Sequence, residues 1–491
     1  VFNKVVNFSD AEINKFSTAS LITRTTNDVQ QVQMVTVMLL RMVLYAPIMA
    51  VGGIIMVIRT GAGMGYIIAI AVVAIAVLMI LLMAFAMPKF KIMQKLVDKV
   101  NLVSREILTG IPVIRAFSRE KHEEKRFDDA NKELTGVMLY TNRVMTFMMP
   151  ALMIIMNVMS ILIVWTSAHR IDAGVMEVGT MTAFITYTMM IVMAFLMLTM
   201  ISIMLPRAGV AADRIDEVLK TEVSVNNSTD AVDAGRSKGV VRFNHVSFAY
   251  PEAEGKVLDD IDFEASPGTT TAIIGSTGCG KSTLVNLIPR FFDVTEGSIT
   301  LDGRDIRNIT LESLRENIGY VPQKGILFSG TIADNIKYGQ LVESDEDMLE
   351  AAEIAQASDF IAEKKEGYDS AIAQGGSNVS GGQKQRLAIA RAIAKQPQVF
   401  IFDDSFSALD FLTEAKLRAT LNRNLAGKTQ LIITQRVTSA MHCDVIFVMD
   451  GGALVDSGTH AQLLERCGVY REIYASQTGG HPVSYTHLTL P

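Results

Sequence analysis

Cysteine occurs three times and tryptophan once in 491 residues. That scarcity excludes a disulfide scaffold and fits a reducing compartment for any soluble part. Charged residues are only 20% of the chain, and the pI of about 5.8 excludes a basic nucleic-acid binder. The chain starts at Val1, with no charged segment leading into a short apolar run, so its true start is expected to be missing. Apolar residues are plentiful instead. They make up 49% of the sequence, with a mean hydropathy of +0.29, too many for a disordered chain.

The average hides two unlike halves. Residues 1–238 hold 23 Lys/Arg and 19 Asp/Glu, whereas 239–491 hold 22 and 32. Before residue 210 lie 25 of the 28 methionines. Four runs in the first half carry no Asp, Glu, Lys, Arg or His: Met42–Ile58, Thr60–Pro88, Val144–Ala168 and Val178–Pro206. A helix needs about 20 apolar residues to cross the hydrocarbon, so the last three suffice outright. The first is shorter, but Arg41 and Arg59 would stand about 27 Å apart on a helix and could snorkel to opposite interfaces. Between the second and third runs, Lys89–Arg143 carries 12 Lys/Arg, which makes it cytosolic by the positive-inside rule. Its apolar residues recur three and four apart through Phe90, Met93, Val97, Val100 and Val103, so the spanning helices are expected to continue into the cytosol. Residues 1–33 read as polar helix. The second half follows the fourth span and shares the cytosolic side.

The expected fold class is a helical transmembrane domain followed by an α/β phosphate-loop domain. We place the first over residues 1–220, a polar linker over 221–238, the α/β domain over 239–476, and a tail of non-native or read-through character over 477–491. Thr271–Gly275 reads as a short apolar strand leading into Gly275-Ser276-Thr277-Gly278-Cys279-Gly280-Lys281-Ser282-Thr283, and a helical run follows. Glycines in that context let backbone N–H groups close on phosphate oxygens, and the helix start adds its positive dipole end. Lys281 would reach the β and γ phosphates, and the Ser282 hydroxyl would ligate Mg²⁺. Val399–Asp403 is a run of large apolar residues ending in an acid, the pattern of a buried parallel strand that delivers a carboxylate to its C-terminal edge. Asp403 would hold the same Mg²⁺. Ser380-Gly381-Gly382-Gln383 opens a further helix over Lys384–Ala394. Two glycines there cost about 1 kcal/mol each against Ala, which suits either a plain Ser-capped helix or a second phosphate belonging to another subunit.

In their order along the chain these motifs resemble those of a half-transporter of the ATP-binding cassette exporter family. The resemblance extends to about Ser476. It includes Gln323 in Tyr320-Val-Pro-Gln323, the signature Val379-Ser-Gly-Gly-Gln383 with Val where Leu is commoner, and Ser407-Ala-Leu-Asp410 as the loop crossing a nucleotide-domain dimer. It implies that Tyr250 in Phe248-Ala-Tyr250 stacks on adenine and that Gln323 reaches the metal and the attacking water. It also implies that Ser20–Asn27 and Gly110–Phe117 act as cytosolic coupling segments. The family has six spans per half. Four are present here, so the first and most or all of the second are expected to be missing.

Two positions depart from the family's pattern. Hydrolysing members carry Glu after the strand acid, where this chain has Asp404, and a His that contacts the γ-phosphate where this chain has Gln435 in Leu431-Ile-Ile-Thr-Gln435. The Asp carboxylate sits on the order of 1 Å further back, a misplacement that can cost about 10²-fold in rate. Gln435 donates a hydrogen bond but carries no charge. In the family each ATP site is composite, taking its phosphate loop from one half and its signature from the other. The resemblance therefore implies a weak site built on Lys281, Asp403, Asp404 and Gln435, and an active one completed by Ser380–Gln383 on a partner's phosphate loop. A heterodimer of the bacterial multidrug type follows. Met189, Met190, Met193, Met197 and Met200, with Tyr187 and Phe195, suit hydrophobic drug- or lipid-like cargo. The same motifs fit a homodimeric lipid or peptide exporter, an ATP-binding regulatory subunit with little hydrolysis, or a gated channel.

Overall fold

The computed structural model of the protein describes residues 1–60, 63–251, 253–340 and 342–478. Of the tail expected over 477–491, Gln477 and Thr478 instead close a helix over Gly468–Thr478, and residues 479–491, like the side chain of Met200, lie outside the described residues. The chain forms two compact units, Ile22–Val218 on one hand and Val1–Leu21 with the chain from Leu219 on the other.

The helical unit is built on four long helices: α2 (Val29–Arg59), α3 (Gly65–Ala116), α4 (Glu120–Asp172) and α5 (Val178–Lys220). A short helix α1 (Asp10–Phe16) precedes them. Among the described residues four helices are long and apolar enough to cross a membrane. α3 and α4 have 52 and 53 residues, about 80 Å each, more than twice the hydrocarbon thickness of about 30 Å. The extension into a basic, helical cytosolic segment is therefore as expected. The helices bury a stripe that includes Met64, Ala71, Ile163, Phe184 and Ile191, and turn Ile48, Ile80, Phe147 and Trp165 outward. Apolar residues on both sides are what a lipid solvent permits. Ahead of α2, Arg24–Asp28 forms one π-helical turn. Arg24 there reaches Glu217 Oε2 at 2.6 Å and the Arg214 carbonyl at 2.8 Å, and Arg214 pairs with Asp28 at 3.4 Å.

In the second unit, β1 (Val241–Phe248), β2 (Leu258–Ala265), β4 (Glu296–Leu301) and β5 (Arg304–Asp305) form an antiparallel sheet. A mixed sheet contains β3 (Thr270–Gly275), β6 (Ile318–Val321), β7 (Val399–Asp403), β8 (Thr429–Ile433), β9 (Val445–Asp450) and β10 (Ala453–Gly458), in the order β10-β9-β3-β8-β7-β6. The middle strands pair in parallel. Every residue of β3, β7 and β8 is buried, because helices cover one face of the sheet and the antiparallel sheet with a further helix covers the other. The helices used below are α6 (Lys281–Asn286), α7 (Gly381–Ala394), α8 (Phe411–Asn424) and α9 (Gly468–Thr478).

The polar segment expected as a linker is pinned along its length to the α/β domain. Val232 bridges Ile309, the Ala234 N–H donates to Ser313 Oγ and the Ser237 N–H to Asn317 Oδ1, each at 2.9 Å. The N–H groups of Lys238, Gly239 and Val240 converge on the Asp302 carboxylate. The N-terminal residues join the same unit. α1 is closed by a Ser9–Glu12 capping box, Ala11 packs against the core beneath the antiparallel sheet, and Glu12 Oε1 accepts from the Ser224 N–H at 3.1 Å.

Candidate active site

Parallel pairing places the chemistry at one edge. Ile273 pairs with Ile433, Ile433 with Asp403 and Val321 with Phe402. The residues that follow each strand, 275–283, 323, 404 and 435, therefore all leave the sheet at its carboxyl end, where ligands bind in open α/β sheets.

The phosphate loop is held by three different constraints on glycine. A Cβ on Gly275 would lie 2.2 Å from the Met449 carbonyl. Gly278 and Gly280 have φ of 87° and 93°, a region open to glycine at little cost. Gly280 caps α6 in that conformation. Lys281 is buried, and its ammonium is centred on the loop by the carbonyls of Gly275 at 2.9 Å and Ser276 at 2.7 Å, with Cys279 Sγ at 3.6 Å. Ser276 and Thr277 form the outer rim of that loop.

Ser282 Oγ donates to Asp403 Oδ1 at 2.9 Å. Burial pushes the Asp403 carboxyl above its usual range; the Ser282 bond and Lys281 oppose that, while the Asp404 charge adds to it. Two hard oxygen donors on adjacent elements fit Mg²⁺, which takes few protein ligands and keeps phosphate and water for the rest. Burial likewise pushes the Tyr320 phenol up, and its hydroxyl donates to Asn286 Oδ1 at 2.9 Å.

Asp404 has φ of 45°, a left-handed conformation that Asp tolerates better than most side chains. Its N–H bonds the Ile433 carbonyl at 3.0 Å, and its carboxylate accepts from Gln323 Nε2 at 3.3 Å. The structure thus joins two of the three expected catalytic residues directly. The third, Gln435, is exposed two residues beyond β8. Tyr250 is half-buried. Its ring stands edge-on to Phe248 and Phe292, and its hydroxyl lies 2.9 Å from Thr283 Oγ1.

Ser380–Gln383 sit apart. Ser380 caps α7, accepting from the Gln383 N–H at 3.2 Å while its own N–H bonds Gln383 Oε1 at 3.0 Å. A Cβ on Gly381 would meet nothing within 4 Å, and one on Gly382 would come 3.2 Å from the Ala408 carbonyl. Among the described residues no hydrogen bond joins these four to residues 275–283. Three contributors left no mark in the sequence: Ser405, whose buried hydroxyl ties the Asp404 turn to the Val321 carbonyl at 3.0 Å, Arg436 and Gln477. Ser405, adjacent to Asp404, and Arg436, adjacent to Gln435, lay within reach of a motif, and Gln477 did not.

Comparison with known proteins matches residues 1–195 to the ABC transporter transmembrane region and residues 258–407 to the ABC transporter family. An uncharacterized ABC transporter ATP-binding protein of Mycobacterium tuberculosis is 43% identical over 487 residues, covering 97% of this chain and 82% of its own length. This chain belongs to the ABC transporter family. An ATP-dependent lipid A-core flippase of Pseudomonas fluorescens is 38% identical over 387 residues, 78% of this chain and 64% of the flippase. The solved structure of a bacterial Atm1-family ABC exporter with ATP bound superposes with a TM-score of 0.80 at 28% identity, covering 97% of this chain and 83% of that one. The protein is an ATP-driven ABC exporter half, a helical transmembrane domain joined to an ATP-binding α/β domain. It resides in the membrane with the ATP-binding domain on the cytoplasmic side, and couples ATP hydrolysis to transport.

Proposed function

We propose that this ABC exporter moves amphipathic, drug- or lipid-like compounds, and that its own nucleotide site holds ATP but cleaves it slowly. The observation that carries the second statement is the pair Asp404 and Gln435 at the carboxyl edge of the sheet. Asp404 is one methylene short of the Glu that orients water, and it already accepts from Gln323. Gln435 offers a neutral amide in place of an imidazole. In this reading Lys281 and the N–H groups of Gly275–Thr283 hold the phosphates, Tyr250 meets the adenine, and Ser282, Gln323 and Asp403 hold Mg²⁺. When bound, Mg²⁺ neutralises charge on the phosphates.

Ser380–Gln383 complete the site of a second half-transporter, with a heterodimer favoured over a homodimer. The opening at Gly381 supports this, since among the described residues nothing lies within 4 Å of a Cβ built there. The lipid cargo draws support from the flippase relative and from outward-turned apolar spans with few charges. Residues 1–220, 221–238 and 239–476 serve as membrane domain, docked strap and cassette.

The test is affinity purification of the full-length protein from its native membrane, followed by ATPase assays of the protein alone and with each half-transporter that travels with it. Slow turnover alone and fast turnover with a partner support the proposal. Fast turnover of the lone protein contradicts it.

A further inference from the structure

The loop that carries Gln435 is gripped from two directions. On one side stands α9, whose Tyr470 is fully buried with its hydroxyl 2.8 Å from His460 Nδ1. From this anchored helix the Gln477 side chain reaches the loop with both ends of its amide. Nε2 donates to the Gln435 carbonyl at 2.6 Å, and Oε1 accepts from the Val437 N–H at 2.8 Å. One amide therefore spans three residues of main chain and fixes the peptide planes on both sides of Arg436.

On the other side Arg436 leaves the loop toward the segment that follows Asp404. Its Nη2 donates to the Ser407 carbonyl at 3.0 Å, and its Nη1 meets Glu414 Oε2 at 3.2 Å. Glu414, near the start of α8, is buried and also accepts from the Ser439 hydroxyl. Ser407 Oγ in turn donates to the Asp404 carbonyl at 2.8 Å. A continuous chain of bonds thus runs from α9 through the Gln435 loop to the Asp404 turn.

We propose that Gln477 is a positioning residue for ATP turnover, setting the Gln435 loop and, through Arg436, the Asp404–Ser407 turn. The inference rests on the reading that Gln435 faces the terminal phosphate. A side chain held at both flanks of a loop fixes where that loop's own side chain points, and displacement by about 1 Å can cost up to about 10²-fold in rate. ATP binding depends on the distant phosphate loop and is spared. Gln477→Glu keeps the acceptor for Val437 but loses the donor to the Gln435 carbonyl while ionised. Protonation restores that donor.

The experiment uses the full-length protein alone, in detergent or liposomes, so that the turnover read is that of its own site. It measures steady-state ATPase against ATP concentration at several pH values, and the affinity for a fluorescent ATP analogue. Gln477→Ala is expected to lower kcat about tenfold with KM and analogue affinity changed less than about twofold. Gln477→Glu is expected to lose activity at pH 8 and regain it, relative to the unsubstituted protein, only as pH falls toward about 4.3, the ordinary Glu value. Combined with Gln435→Ala, Gln477→Ala should add little further loss, because both act on one contact. A Gln477→Ala protein with unchanged kcat, beside a Gln435→Ala protein that has lost turnover, overturns this inference alone. Unchanged turnover in both overturns it together with the reading of Gln435. Parallel loss of kcat, analogue affinity and thermal midpoint with no pH-dependent recovery marks a merely structural bond and also overturns it.

Discussion

The Ser282 hydroxyl donates to Asp403 Oδ1 at 2.9 Å, linking the first turn of α6 to the end of β7 across the intervening β8. Residues 121 positions apart meet because parallel register brings the carboxyl ends of three strands to one level.

Burial makes this metal site sensitive to pH, and the Ser282 bond moderates the effect. Burial holds the Asp403 carboxyl above the usual carboxylate range, and Mg²⁺ needs the ionised form. Mg²⁺-dependent ATP binding should therefore weaken as pH falls through a pKa higher than that of an ordinary Asp. Ser282→Ala removes a bond that favours ionisation and should move the midpoint further up. The stability sign is opposite. A raised folded-state pKa gives stability that is complete below the unfolded pKa and is lost as pH rises through the folded one. Asp403→Asn should thus raise the thermal midpoint at neutral pH while abolishing Mg²⁺ dependence. Analogue binding and melting curves, each against pH, check both statements.

The two signature glycines separate folding from function. Gly381→Ala puts a methyl into open space and exchanges a poor helix former for the best one, worth up to about 1 kcal/mol. The substituted protein should melt at the same temperature or higher. If that space is where a partner's nucleotide comes close, turnover of the assembled exporter should fall at least about tenfold. Equal stability with unimpaired turnover would refute the role given to this helix start.

Tyr250 combines an aromatic cluster with a bond to the phosphate loop. Tyr250→Phe loses only the hydroxyl contact with Thr283 and should cost about 1 kcal/mol or less in stability. Tyr250→Ala also loses a stacking surface worth about 1–3 kcal/mol per base, so ATP affinity should fall roughly five- to hundredfold. A titration with ATP and with a nucleoside-free polyphosphate discriminates, since only ATP binding should suffer.

The fold's outline was legible because its signals are local. Charge-free runs gave the spans, and glycine spacing after Thr271–Gly275 gave the phosphate loop. The long helices α3 and α4 followed from apolar residues three and four apart. What escaped depends on contacts between distant residues. Thr221–Lys238 reads as a spacer because its polar residues have no period. Yet Asn317, Ser313 and Asp302 take up its N–H groups from 64 to 80 residues away. Residues 1–21 gave no hint that Ala11 and Glu12 would pack with the cassette. Ser20–Asn27, expected as a coupling segment, runs through the end of a helix and a π turn that its residues did not announce, with its arginine paired to Glu217. Gln477 was invisible, because a lone glutamine on an exposed helix face announces no partner.

Cys279 offers a chemical probe of the loop. It is buried, with Lys281 Nζ 3.6 Å from its sulfur. Small thiol reagents should label it slowly, abolish ATP binding once attached, and be blocked by bound ATP. Cys279→Ser should bind ATP normally and lose the sensitivity. Labelling that ATP fails to slow would place the nucleotide elsewhere.

The central claim concerns Asp404 and Gln435, and the most direct measurement is the ATPase rate of the full-length protein carrying Asp404→Glu together with Gln435→His. Restoring the longer carboxylate and the imidazole should raise turnover at this chain's own site by at least about tenfold, with little change in ATP affinity. A double variant no faster than the unsubstituted protein would contradict the account.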